Sequence, residues 1–252
     1  HYLKGFTAPF HLNMLYHPHD SMLEKKDPNI LMQEWAISAS LASEIKLFCR
    51  KHTLTLNTFF QAAWALLLNY YSQQQNVMFG VTLSTRSADI MNANSMVGLL
   101  VNTLPFRIKF QHNLTTQKFL QKVQASFSQI INFHSISLSQ VQAWSEVVHH
   151  LPLFDNILVF ENYPVEEEKE QLLKFKTMKI IDPTHYPLAC IINSSEEIKV
   201  KLAYDSHKVN ADLITPLFNH FHILLQEMIE KNSQPIFHLN FLTKQEQEKL
   251  LR

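Results

Sequence analysis

The stretch Met96-Val97-Gly98-Leu99-Leu100-Val101-Asn102-Thr103-Leu104-Pro105-Phe106-Arg107 decides how this chain is read. An apolar run encloses Asn102 and Thr103, bounded by one of only three glycines in 252 residues and by a proline. That pattern predicts a strand buried on both faces. Burying an amide and a hydroxyl in such a run is costly unless both are hydrogen-bonded. The pair therefore either clamps a neighbouring segment or lines a cavity.

Before this strand, Val77 to Leu83 reads as a second strand, joined to it by a polar loop, Ser84 to Ser95, that carries Arg86. Ahead of both lies a helix capped by Thr55 or Asn57 and running through Tyr71. Its residues Phe59, Phe60, Ala62, Ala63, Trp64, Leu66, Leu67 and Leu68 make it apolar almost all round, so it belongs inside the protein. Another helix is capped by Ser38 or Ser40 and extends to about Lys51, preceded by a short strand from Leu31 to Ile37.

After the decisive stretch, Thr115 or Thr116 opens an amphipathic helix with Phe119, Leu120, Val123, Phe127, Ile130 and Ile131 on one face. A short helix is expected around Val141 to Val147 and a strand from Asp155 to Tyr163, stopped by Pro164 and the acidic loop Glu166 to Glu170. Strands at Phe175 to Ile181, Tyr186 to Ile192 and Ile198 to Tyr204 are expected to form a meander. A long helix, Ala211 to Lys231, and a short one beginning at Thr243 close the chain. Interleaved helices and strands that end in a meander predict an α/β fold, a mixed β-sheet covered by helices.

Composition narrows the function. The formal net charge is zero, so no electrostatic footprint for nucleic acid or an anionic membrane is present. Ala62 to Leu68, the best apolar run, falls far short of the roughly 20 residues of a membrane span. The start at His1 lacks the basic-then-apolar order of a signal peptide. Cys49 and Cys190 are too few for a disulfide framework and read as buried, reduced thiols, pointing to a soluble, cytoplasmic protein. Average glycine usage is about 7%. With only Gly5, Gly80 and Gly98 available, phosphate-cradling loops, dinucleotide turns and serine nucleophile elbows are disfavoured.

The decisive stretch resembles a motif of condensation domains from nonribosomal peptide synthetases, roughly I/V-G-x-F-V-N-T-x-x-x-R. Val97, Gly98, Val101, Asn102, Thr103 and Arg107 fall on its positions, with Leu100 in place of the Phe. Phe59 to Tyr71 resembles the family's x-Q-A-A-W-A-x-L-L helix. Val77 to Arg86 resembles its D-V-V-F-G-V-T-V-S-G-R segment, with Thr85 replacing the glycine before Arg86. Leu153-Phe154-Asp155 through Asn162-Tyr163-Pro164 is similar to the P-L-F-D strand that ends in E-N-Y-P. Tyr186-Pro187-Leu188 and Tyr204-Asp205 also match, and Leu242-Thr243-Lys244-Gln245-Glu246 resembles the L-T-x-x-E linker preceding an adenylation domain.

The resemblance implies a chloramphenicol-acetyltransferase-like lobe. Residues 1–30 would be an extended lead-in or inter-lobe linker, 31–240 the C-terminal lobe, and 241–252 the start of the linker toward an adenylation domain. The family joins a carrier-bound acyl or peptidyl donor to a carrier-bound aminoacyl acceptor, as in bacterial antibiotic and secondary-metabolite biosynthesis. Its catalytic motif, H-H-x-x-x-D-G, does not occur here and is expected in a preceding N-terminal lobe, leaving this fragment inactive alone. The resemblance further implies that Gly98, Asn102, Thr103 and Arg107 line or brace a substrate tunnel. Ser84 and Arg86 would belong to its floor, and Tyr163 would lean toward its mouth. No cofactor is expected on the chain itself, since the phosphopantetheine arms belong to upstream and downstream carrier proteins.

Each of these readings has a plainer rival. Asn102 and Thr103 would simply pin a strand, Arg86 would be a solvated loop charge and Tyr163 a packing residue. His149-His150 invites a catalytic assignment as a self-contained acyltransferase or hydrolase, but Leu151-Pro152-Leu153-Phe154-Asp155 follows with no glycine, and 14 histidines make chance pairs common. His17, His19 and Asp20, or His220 with His222, suggest metal sites. Two residues apart on a helix, however, side chains do not converge, so no metal is expected. A non-catalytic carrier-binding module of the same fold remains the alternative function.

Overall fold

Helix α2 (Leu56–Ser72) forms where the Thr55 hydroxyl accepts from the Thr58 N–H, and every residue from Thr58 to Asn69 is buried. The computed structural model describes residues 2–16, 27–85, 98, 100–111, 113–148, 151–161, 185–195 and 197–251. In it α2 packs against helices α3 (Thr116–Ile131) and α5 (Ile214–Glu230) and against strands β2 (Asn76–Ser84) and β4 (Asn156–Glu161). Helix α1 (Ala39–Lys51), capped by Ser38, completes the layer against α2 and α5.

Beneath these helices the described strands form one mixed sheet of six, in the order β1 (Ile30–Ala36), β6 (Lys199–Asp205), β5 (Leu188–Asn193), β4, β2 and β3 (Val101–Lys109). β1 and β5 both run antiparallel to β6, and β2 runs antiparallel to β3. β4 lies parallel to both of its neighbours. The expected mixed sheet with helices over it is therefore the fold. The meander is corrected in one respect: β5 and β6 form an antiparallel pair, but the strand before β5 in the sheet is the parallel β4. The expected strand at 175–181 lies outside the described residues.

A second correction concerns the decisive stretch. β3 is the edge strand of the described sheet, and it is buried on both faces only from Leu104 to Ile108. Val101 is exposed and Asn102 and Thr103 are half-buried, while Leu104 through Ile108 are buried. Leu104, Phe106 and Ile108 join the core, and the outer edge of β3 meets side chains and a turn where a central strand would meet another strand. The short helix also falls earlier than expected. α4 (Leu138–Ala143) begins at a Ser137–Gln140 capping box.

Gly80 is required by close approach. A Cβ there would lie 2.5 Å from Phe154 Cε2 and 2.6 Å from Ile157 Cγ2. The bare backbone lets β4 pair with β2 through Gly80–Ile157 and Val81–Leu158. The lead-in residues are not loose. Phe6, Phe10, Leu12 and Leu15 join the core, with Phe10 N–H bonded to Leu153 O at 3.1 Å. Cys49 and Cys190 are free and buried, and burial pushes the Cys49 thiol up to about 12 and the Cys190 thiol up as well.

Candidate functional site

Along the outer side of β3 runs an apolar groove of about 690 Å³. Leu104 and Pro105 form its floor, Ile130 and Phe133 at the end of α3 form one wall, and Ile136 and Trp144 flank α4. Two of its aromatic side chains face solvent, Trp144 at 69% and Phe133 at 53% exposure. The groove exists because an amphipathic helix ends beside a sheet edge that no described strand covers.

Asn102 shapes one wall of it. Its Nδ2 donates to His134 O at 2.8 Å and to Ile136 O at 2.7 Å, fastening the turn after α3 to β3. Both amide hydrogens are used, so Asn102 is a clamp on a neighbouring segment. The clamped turn in turn carries Phe133 and Ile136 into the groove. Thr103 pairs with Thr82 across the β2–β3 ladder, and Ser84 pairs with Val101 at its end, where Thr85 N–H reaches Leu100 O at 2.9 Å. Gly98 has φ of 156°, a backbone angle that L side chains rarely adopt.

Arg107 stands at the other end of β3 and is buried. Nε donates to Asn76 Oδ1 at 2.9 Å, while the Nη atoms donate to the carbonyls of Lys4 at 2.9 Å, Tyr2 at 3.2 Å and Gly5 at 3.4 Å. Its guanidinium carbon sits 5.3 Å from the centre of the Phe6 ring. Burial lowers its pKa from the ordinary value, yet a guanidinium stays charged, and these acceptors replace its lost water. Arg107 therefore ties the lead-in segment to the sheet edge, away from Ser84 and Asn102.

A second polar chain joins residues quoted above only as parts of motifs to others that the sequence does not mark. Asp155, buried at the start of β4, accepts from His11 Nδ1 at 3.0 Å, from the Leu12 N–H at 3.2 Å and from Asn156 Nδ2 at 3.0 Å. Asn156 Oδ1 accepts from Trp64 Nε1 at 3.1 Å. The hydrogen bond to Asp155 raises the His11 pKa. Burial, with the Asp155 carboxylate beside it, holds the proton on Tyr16. Lys244 and Glu246 begin α6 (Lys244–Leu250), where Glu246 meets His220, and His220 meets Tyr71. The Thr243-x-x-Glu246 spacing was the one available signal for this contact. Nothing local in the sequence marks His11 or Tyr16 as neighbours of Asp155.

Arg86, Tyr163, His149, His150, His17, His19 and Asp20 lie outside the described residues. His220 is buried, and His222, two residues on, has its pKa lowered by burial. Among the described residues no three His, Cys, Asp or Glu side chains are grouped to hold a metal ion, and no helix is long and apolar enough to cross a membrane. What the described site offers is shape: an apolar trough with one wall fastened by Asn102.

The model of the family described as "Condensation domain" matches residues 12–251. A linear gramicidin synthase polypeptide from Brevibacillus parabrevis is 34% identical over 256 residues, which is 99% of this chain and 5% of that protein. The chondramide synthase cmdD of Chondromyces crocatus is 32% identical over 255 residues, 99% of this chain and 6% of that protein. The chain thus spans a small part of the curated relatives it matches. Among solved structures, the condensation domain of the monacolin K polyketide synthase MokA superposes with a TM-score of 0.71 at 15% identity, covering 91% of this chain and 54% of that one. An X-domain from teicoplanin biosynthesis, solved in complex with OxyB, gives a TM-score of 0.78 at 16% identity over 96% of this chain and 54% of that one.

Proposed function

The chain belongs to the condensation-domain family, and from that premise we propose that it is the C-terminal lobe of a nonribosomal peptide synthetase condensation domain, acting in the cytoplasm. The observation that carries the reading is one of proportion. The chain aligns over 91% of its length with 54% of a solved condensation domain, and its sequence has the V-N-T segment but no H-H-x-x-x-D-G.

In this reading a companion N-terminal lobe supplies the histidine, and carrier proteins upstream and downstream deliver the reactants on phosphopantetheine arms. The arms and their acyl groups are substrate. The acceptor amine nitrogen attacks the donor thioester carbon, the C–S bond breaks, the thiol takes up the amine's proton, and an amide forms. Both reactants are tethered, so most of the acceleration comes from holding them in attack geometry, with charge stabilisation at the developing oxyanion. This lobe contributes a wall. Asn102 fixes the turn beside β3 and Arg107 braces the strand; by the family resemblance Gly98 and Thr103 would line the tunnel, Ser84 and Arg86 would belong to its floor and Tyr163 to its mouth. Residues 241–252 would lead to an adenylation domain.

The test is a fusion to an N-terminal lobe bearing H-H-x-x-x-D-G, assayed with loaded donor and acceptor carriers. Amide formation by the fusion and none by the chain alone is expected. Turnover by the chain alone, for instance of acetyl-CoA through His149 or His150, overturns the reading, as does an inert fusion on several substrate pairs. A second reading, a non-catalytic binding module, is supported by the structural likeness to an X-domain solved in complex with a partner protein. It predicts carrier binding by the chain with an inert fusion.

A further inference from the structure

We propose that Tyr71, His220 and Glu246 form a clasp that docks helix α6 onto α2 and α5 and fixes its orientation against the body of the chain. The Tyr71 hydroxyl lies 2.7 Å from His220 Nδ1, and His220 Nε2 lies 3.0 Å from both carboxylate oxygens of Glu246. A carboxylate only accepts, so Nε2 carries a hydrogen toward Glu246, while Nδ1 and the Tyr71 hydroxyl share the second hydrogen bond.

Burial does little to hold α6. Its seven residues are well below the ~12–15 at which an isolated helix becomes marginally stable, and none of them is buried. The capping box accounts for only part of the role of Glu246: its Oε2 accepts from the Thr243 N–H at 2.8 Å and hydroxyl at 2.6 Å. Such a cap works equally well with the carboxylate turned to water. Here it faces a buried histidine instead. Burial alone would raise the Glu246 pKa, but hydrogen bonds from Thr243 and His220 outweigh it and hold the group at about 2.

The segment before α6 is fastened separately. Phe241 stacks on Tyr70 at 4.3 Å and meets the His220 ring edge-on at 5.4 Å, and the Asn240 N–H donates to Glu227 Oε2 at 2.9 Å. The groups facing His220 are thus Tyr71 from α2, Phe241 from that segment and Glu246 from α6. Lys244 and Lys249 flank Glu246 along the neighbouring cleft, with Asn219 across from them on α5. The clasp does not rest on the proposed amide-forming role; that role matters only for what α6 would lead to.

The experiment places a fluorophore at Leu251→Cys, a position 89% exposed, where the buried thiols of Cys49 and Cys190 do not compete. Anisotropy of the probe reads the docking of α6. Glu246→Ala is expected to raise the undocked population on the order of tenfold, the scale of one hydrogen bond to a charged group. His220→Phe, which keeps a ring against Phe241, is expected to do the same, and the double variant no more than either alone. Glu246→Gln, which still accepts from Thr243 and His220, restores most of the docking. In the wild type, docking weakens as pH falls below the ordinary carboxylate range toward 2; in Glu246→Gln that acid limb is absent. If Glu246→Ala loosens α6 and His220→Phe does not, Glu246 is a cap alone and the proposal falls. It falls equally if neither loosens the helix. Should His220→Phe not fold, Tyr71→Phe takes its place with the same expectation. None of these outcomes bears on turnover by the fused domain.

Discussion

The Tyr2 hydroxyl engages both backbone groups of Arg107, accepting from its N–H at 2.6 Å and donating to its C=O at 3.2 Å. A side chain from the lead-in segment thus does at the outer edge of β3 what a neighbouring strand would do. Two residues earlier the edge presents Pro105, which has no N–H to offer. Between them the two residues blunt an edge that would otherwise recruit another strand.

Tyr2→Phe is expected to lower stability by about 1–2 kcal/mol, since it leaves a half-buried N–H and C=O without their partner. Chemical denaturation measures the loss. Burial also raises the phenol pKa, so the wild-type contact should persist through pH 10.

Gly80→Ala is expected to destabilise by about 1–3 kcal/mol, because the new methyl meets Phe154 and Ile157 at distances that no real Cβ tolerates. Phe154 stacks on Tyr186 at 5.4 Å and cannot simply swing away. Pairing the change with Phe154→Leu should recover part of the loss. That recovery in a thermal melt would identify the clash as the cause.

Asn102→Asp replaces two donors with acceptors that face two carbonyl oxygens. The expected cost is about 1–3 kcal/mol. Asn102→Ala should cost less, since it leaves the carbonyls of His134 and Ile136 unpaired without adding repulsion. Hydrogen exchange should rise in residues 133–138 in both variants while α2 stays protected.

His11 supplies a pH-dependent contribution of definite sign. Asp155 raises its folded-state pKa above the ordinary value, so the fold favours the protonated ring. The stabilisation is fully present below pH ~6.5 and is lost as pH rises through the folded value. The stability difference between wild type and His11→Gln should therefore shrink as pH rises above ~6.5. A His11 titration midpoint at or below 6.5 by NMR would contradict this.

The starts of α1, α2, α3 and α6 were legible because capping is local chemistry, whereas the Ser137 cap of α4 was missed. Thr55, Thr115 and Thr243 each hold the N–H three residues on, and Ser38 proves to be the cap of α1 rather than Ser40. The interior position of α2 followed from its composition for the same reason. The edge position of β3 did not, because an apolar run looks the same whether strands or side chains cover it. Pro105 was the overlooked sign, since a proline cannot donate to a ladder on both sides. The contacts of Tyr2 with Arg107, His11 with Asp155, and Tyr71 with His220 join residues 105, 144 and 149 positions apart, where no spacing rule reaches.

Helix α2 carries one more implication. With twelve successive residues sealed from water, it has no stable existence until α1, α3, α5 and the sheet have closed around it. Peeling away any one of those layers would wet Phe59, Trp64 or Leu67 and cost more than a short helix can return. The chain should accordingly unfold in a single all-or-none transition, its calorimetric and van't Hoff enthalpies agreeing.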